Sequence, residues 1–177
     1  MDQVIDHIVS WLRSYSENSG TKGFVIGVSG GVDSAITSYL CALTGKPTVC
    51  VEMSIHQAES QESRAARHIE ALKSKFPHVS RENVDLTSTY DHMREILPSY
   101  KNNDLALANT RARLRMTALY YVATSKSMLV AGTGNRVEDF GIGFYTKYGD
   151  GGVDLSPIAD LTKTEVFAVA AALGVMP

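Results

Sequence analysis

The stretch Phe24-Val25-Ile26-Gly27-Val28-Ser29-Gly30-Gly31-Val32-Asp33-Ser34 decides how this chain is read. Its first five residues form an apolar run of strand length that ends in a glycine turn. Continuous runs of this kind suit a strand buried on both faces, as in parallel sheets. The turn leads directly into a helix-like segment carrying Asp33 and Ser34. Backbone N–H groups at such a turn and helix start converge on an anion, and phosphate is the obvious candidate. The stretch therefore points to a nucleotide-consuming enzyme.

Working outward, strands and helices alternate. Val4, Ile5, Ile8, Val9 and Leu12 repeat at helical spacing and predict a first helix that ends near Asn18-Ser19-Gly20, with Gly20 as the C′ residue. Trp11 and Tyr15 are expected to cover its flank. After the opening stretch, residues 32–43 predict a helix stopped by Gly45-Lys46-Pro47, and residues 48–53 predict a second strand. Residues 59–76 predict a helix, 82–86 a short and weaker strand, and 87–97 a helix ended by Pro98. Residues 104–125 predict a longer helix, whose apolar stripe is Leu105, Ala108, Ala112, Met116, Leu119 and Ala123. Residues 128–131 read as a buried strand, 132–154 as a polar, glycine-rich loop. Thr162 and Glu165 have capping-box spacing at the start of a last helix. This alternation predicts an α/β fold, a doubly wound parallel sheet with helices on both faces. In such folds the site lies beyond the carboxyl ends of the strands, at the switch point. The loops 29–34 and 132–154 both follow strands, so they should share one edge of the sheet.

Composition narrows the class. The 177 residues suit one domain, 1–177, and 44% hydrophobic residues supply ample core. Charged residues are 20% and the net charge is −2, which gives no electrostatic footprint for nucleic acid or a membrane surface. Cys41 and Cys50 have neither disulfide-framework nor metal-ligand spacing, and are expected to be buried thiols. The N-terminus lacks a signal-peptide apolar region and no segment approaches membrane-span length, so a cytoplasmic location is expected.

The glycine loop is not a Walker A motif, because Gly27 is not followed by the Gly-Lys-Ser/Thr ending. It also misses the G-x-G-x-x-G spacing of the dinucleotide fingerprint. What stands at 29–34 is Ser-Gly-Gly-Val-Asp-Ser. Gly30 and Gly31 let backbone approach phosphates closely, and Ser29 and Ser34 offer hydroxyls. A carboxylate at Asp33 beside polyphosphate is repulsive unless Mg²⁺ bridges the two. The blander role for Asp33, complementing the helix dipole, is worth only about 0.3–1 kcal/mol. Lys163 carries a separate signal: a cation in the first turn of a capped helix is unfavourable unless an anion sits nearby.

The six-residue loop resembles the signature of the ATP pyrophosphatase (PP-loop) superfamily, whose members split ATP into AMP and pyrophosphate and have an adenine nucleotide alpha hydrolase-like fold. Further stretches narrow the resemblance. They are 109–116 (Asn-Thr-Arg-Ala-Arg-Leu-Arg-Met), 132–138 (Gly-Thr-Gly-Asn-Arg-Val-Glu), 144–154 (Phe-Tyr-Thr-Lys-Tyr-Gly-Asp-Gly-Gly-Val-Asp) and 157–163 (Pro-Ile-Ala-Asp-Leu-Thr-Lys). Together they resemble the ammonia-dependent NAD synthetases over essentially the whole chain. The resemblance implies that Gly27, Val28, Ser29, Gly30, Gly31, Val32, Asp33, Ser34, Thr133 and Lys163 bind ATP, and that Asp33 and Glu138 hold Mg²⁺. It implies that Arg113, Lys147 and Asp154 bind deamido-NAD, the acid form of the dinucleotide. It implies a homodimer, with the helix 104–125 as candidate interface, and family members that continue beyond Pro177, so that this chain is C-terminally short.

From residues alone, Arg113 could be a solvated helix arginine that points away from Arg111 and Arg115. Glu138 could be a surface residue after a turn, and Asp150 and Asp154 plain turn residues without EF-hand spacing. His56 and His92 are expected at the surface, and no side-chain nucleophile or catalytic histidine is assigned. The reaction implied by the resemblance is ATP-dependent amidation of deamido-NAD through an acyl-adenylate. No glutaminase-like domain is read in the chain, so free ammonia is the expected donor unless a separate subunit delivers it. Two rival readings stand: another PP-loop enzyme that amidates or thiolates, and an inactive truncated form that still binds ATP.

Overall fold

Phe24 and Ile26 of β1 (Phe24–Gly27) pack into one apolar layer and Val25 into another, so this strand is buried on both faces. The computed structural model describes residues 1–57 and 59–175, with backbone alone at 59–62 and 140. Around β1 lie β2 (Thr48–Ser54), β3 (Val79–Asp85) and β4 (Leu129–Val130), in the order β3-β2-β1-β4, with every pairing parallel. The helices are α1 (Asp2–Asn18), α2 (Val32–Leu43), α3 (Glu59–Lys75), α4 (Thr87–Ile96), α5 (Asp104–Lys126) and α6 (Lys163–Leu173).

One layer joins α1, α2, α3 and α6 through Leu12, Ile36, Leu40, Ile69, Leu72, Val166 and Val169. The other sets Met116, Leu119 and Ala123 of α5 against Val25, Val49, Val51 and Val130 of the sheet. The chain steps outward from β1 to β3, then returns through α4 and α5 to add β4 on the other side of β1. That reversal makes the expected doubly wound sheet and puts its switch point between β1 and β4. Among the described residues no helix is long and apolar enough to cross a membrane. Cys41 and Cys50 are buried free thiols, and burial pushes the Cys50 thiol up to about 12.

Local signals act where they stand. Gly20 has φ +65°, and its N–H donates to Glu17 O, which closes α1. Thr162 N-caps α6 in a complete capping box with Glu165. Three elements differ from expectation. β3 spans seven residues and starts at Val79, because pairing with β2 extends a polar edge strand whose sequence has little apolar alternation. The stripe on α5 divides: Met116, Leu119 and Ala123 are buried, whereas Leu105 is exposed. The loop 132–154 is also not irregular throughout, since Arg136–Ile142 forms a π-helical segment. The expected chain end at 176–177 lies outside the described residues.

Candidate functional site

At the switch point a cleft of about 670 Å³ opens. Gly27, Val28 and Ser29 line it from the end of β1, and Gly132 and Thr133 from the end of β4. The two loops therefore share one edge, as parallel strands require. The first half of the α5 stripe forms another wall, with Leu105, Ala108 and Ala112 facing the cleft. Met116 and Leu119 serve both surfaces, sealing the sheet and lining the floor of the cleft.

The loop 29–34 is braced by its serines. Ser34 Oγ donates to Gly31 O at 2.9 Å and accepts from Ser29 N at 3.2 Å. Gly30 takes φ +81°, and Gly31 N-caps α2 with no side chain of its own. The N–H groups of the first turn of α2 are left without a capping side chain, which is the arrangement that receives an anion.

Asp33, Glu138 and Lys163 come together from three elements. Lys163 Nζ lies 2.5 Å from Asp33 Oδ2 and 3.1 Å from Glu138 Oε1. Burial works against this ammonium, but hydrogen bonds to Asp33 and Glu138 outweigh it and hold the Lys163 pKa above its ordinary value. Asp139 lies beside the group. Its carboxyl is pushed up by burial and then by Asp150, Glu138 and Asp33. Carboxylates thus outnumber cations here.

These residues suit a divalent cation. The ammonium already occupies the space between two hard oxygen donors, and the surplus of negative charge favours a cation of higher charge. Among the described residues, no three His, Cys, Asp or Glu side chains converge as a complete cage. The remaining donors would be phosphate oxygens and water, which is the usual mode for Mg²⁺.

The residues expected to bind the pyridine dinucleotide fall into two places. Arg113 Nε donates to Lys147 O at 3.1 Å, so these two adjoin. Asp154 stands apart. Its Oδ1 accepts from Tyr120 Oη at 2.9 Å and its Oδ2 from Val130 N at 2.8 Å, which ties the loop to α5 and to the open side of β4. Arg111 and Arg115 point elsewhere, to Tyr90 Oη and Met53 O, so the three arginines act separately. His56 and His92 are exposed, as expected.

Residue-by-residue reading missed two side chains. Arg115 lines the cleft, and burial and then the Arg111 charge lower its pKa. Its signal was its register, seven residues after Ala108 and three after Ala112 on the apolar stripe. Asn135 is fully buried, accepts from the N–H groups of Val137 and Glu138, and donates to Asp33 Oδ1 at 3.0 Å. Its signal was capping spacing: an Asn followed three residues later by Glu138.

The family model described as NAD synthase matches residues 4–177. The chain belongs to the NAD synthase family. It is 38% identical over 176 residues to an NH(3)-dependent NAD(+) synthetase of Alkaliphilus metalliredigens, covering 97% of this chain and 71% of that protein. It is 39% identical over 180 residues to the same-named protein of Carboxydothermus hydrogenoformans, covering 98% and 70%. Solved structures of NAD synthase relatives superimpose closely. The NMN synthetase of Francisella tularensis has a TM-score of 0.92 at 31% identity, over 99% of this chain and 71% of that one. The NH3-dependent NAD synthetase of Campylobacter jejuni has a TM-score of 0.89 at 27% identity, over 98% and 73%.

Proposed function

We propose that this ligase of the NAD synthase family makes NAD from deamido-NAD, ATP and ammonia, within a single domain over 1–177 and in the cytoplasm. The observation that carries the reading is the uncapped start of α2 beside the group formed by Asp33, Glu138 and Lys163. N–H groups without a capping side chain thus adjoin two carboxylates joined by an ammonium, beside the loop whose Val28 and Ser29 line the cleft, and this supports the reading.

Gly27 to Ser34 would hold the ATP phosphates, with Thr133 beside the nucleotide. A nicotinate carboxylate oxygen attacks the α-phosphorus, the bond to the bridging oxygen breaks, and pyrophosphate leaves with that electron pair. Ammonia nitrogen then attacks the acyl carbon, sheds one proton, and AMP departs with the carboxylate oxygen. Asp33 and Glu138 would hold Mg²⁺, which when bound draws negative charge from the phosphates. Lys163 would turn its ammonium from the two carboxylates onto the phosphates, and the loop N–H groups would steady the leaving pyrophosphate. Arg113, Lys147 and Asp154 would orient the pyridine dinucleotide. No side-chain nucleophile is needed, since positioning and charge neutralisation carry the reaction. We also propose a homodimer joined through α5, where Leu105 and Tyr121 are exposed. Sedimentation as monomer alone at assay concentration would refute that part.

The test is NAD formation from deamido-NAD, ATP and ammonium, with glutamine replacing ammonium as control. NAD with ammonium is expected, and ATP binding without NAD would refute the reading. A second reading, amidation of nicotinic acid mononucleotide, draws support from the Francisella tularensis match. Preferential turnover of that acid in the same assay would favour it.

A further inference from the structure

Asn135 lies between the two carboxylates without being one of them. Its Oδ1 accepts from Val137 N at 3.0 Å and from Glu138 N at 3.1 Å. An amide oxygen accepts and an amide nitrogen donates, so these two N–H partners fix which end is which. The nitrogen must then face Asp33, and it does, donating to Oδ1 at 3.0 Å across 102 residues of sequence. Lys163 takes the other oxygen of the same carboxylate. The plane of the Asp33 carboxylate is therefore held from both sides, and the backbone that carries Glu138 hangs on the same amide.

We infer that Asn135 is a positioning residue that sets Asp33 and Glu138 as one unit toward the divalent cation, an inference that rests on the proposed function for its chemistry. When Lys163 turns to the phosphates, Oδ2 is released while Oδ1 stays on the amide. Asp33 then keeps its orientation at the moment the cation needs it. The amide is also neutral. An aspartate here would cap the π-helical segment equally well but would set a third carboxylate against Asp33 and Asp139. Side chains that orient ligands in this way affect metal affinity about 10–100-fold in general.

A plain helix cap would explain two of these three bonds and leave the one to Asp33 unexplained, and substitutions separate the two roles. Asn135→Ser keeps a capping oxygen of equal quality but ends one atom short of the position of Nδ2 and brings no charge. Asn135→Ala loses both. The probe is Mn²⁺ binding to the protein with ATP, followed by electron paramagnetic resonance, alongside thermal unfolding and steady-state kinetics. Asn135→Ser is expected to weaken Mn²⁺ binding about tenfold or more, with the KM for deamido-NAD unchanged and a smaller fall in Tm than in Asn135→Ala, which loses the capping oxygen as well. Wild-type Mn²⁺ affinity in Asn135→Ser, or a loss of affinity that only tracks Tm across both variants, would overturn the inference. Mn²⁺ affinity is read without turnover, so a wild-type protein that forms no NAD would count against the function while this comparison still decides the role of Asn135.

Discussion

Lys163 at the start of α6 and Asp33 at the start of α2 meet across 130 residues of sequence, Nζ to Oδ2, at 2.5 Å. A lysine in the first turn of a helix faces the positive end of that helix's dipole, which is unfavourable by a few tenths of a kcal/mol. The two carboxylates it bridges offset that cost. Replacing it by an isosteric apolar side chain, Lys163→Met, leaves Asp33 and Glu138 without a covalently tethered cation. Pyrophosphate formation should fall about 10²–10³-fold, the range seen for removal of one charge-stabilising group. Steady-state pyrophosphate release measures it, and a rate within a few-fold of wild type would remove Lys163 from the phosphate-binding role.

Asp33→Ala should abolish adenylation while the protein stays folded. The side chain accepts from Asn135 and Lys163 but contributes nothing to either apolar layer. Circular dichroism with a pyrophosphate-release assay checks both halves. Pyrophosphate release retained in a folded Asp33→Ala protein contradicts the cation assignment.

The alternation of apolar runs and helical periods was enough to read the sheet, its helices and the shared edge of the two loops. Neighbour-to-neighbour spacing determines these, and Phe24-Val25-Ile26 or Thr162-Glu165 display it directly. The group formed by Asp33, Asn135, Glu138 and Lys163 was legible only in part. Resemblance named three of its members, but their mutual contacts span 102 and 130 residues, and no local pattern records which side chains a fold will bring together. The π-helical segment leaves no periodic trace because seven residues are too few to show a period. The first residues of β3 carry little signal in the sequence, because an edge strand needs little apolar alternation once β2 supplies its hydrogen bonds.

Asp154 ties the loop to β4 through Val130 N and to α5 through Tyr120 Oη, one hydrogen bond each, so its substitution should cost stability as well as binding. Asp154→Ala should lower unfolding free energy by about 1–3 kcal/mol, the cost of leaving polar partners unmatched. Tyr120→Phe removes only one of the two bonds and should cost less. Urea titration measures both. If Asp154 also binds deamido-NAD, the KM for that substrate rises in Asp154→Ala and stays unchanged in Tyr120→Phe.

The buried thiols predict an alkaline limit. Burial, followed by the charge of each one's neighbour, raises Cys41 and Cys50 above the ordinary value of 9.0. The folded protein thus binds these protons more tightly than the unfolded chain does. Their contribution is fully present below pH 9.0 and is lost as pH climbs toward the raised folded values. The slope is about 1.4 kcal/mol per pH unit for each thiol. Urea midpoints above pH 9.0 should fall more steeply for wild type than for Cys41→Ala/Cys50→Ala, and equal slopes would contradict the assignment. Neither thiol should react with Ellman's reagent until the protein unfolds.

The most direct test of the account follows oxygen. Deamido-NAD labelled with ¹⁸O in its carboxylate is turned over with ATP and ammonium, and the products are weighed by mass spectrometry. The account predicts NAD, AMP and pyrophosphate, with one labelled oxygen in AMP and none in pyrophosphate. Unlabelled AMP, or ADP with labelled phosphate, would contradict it.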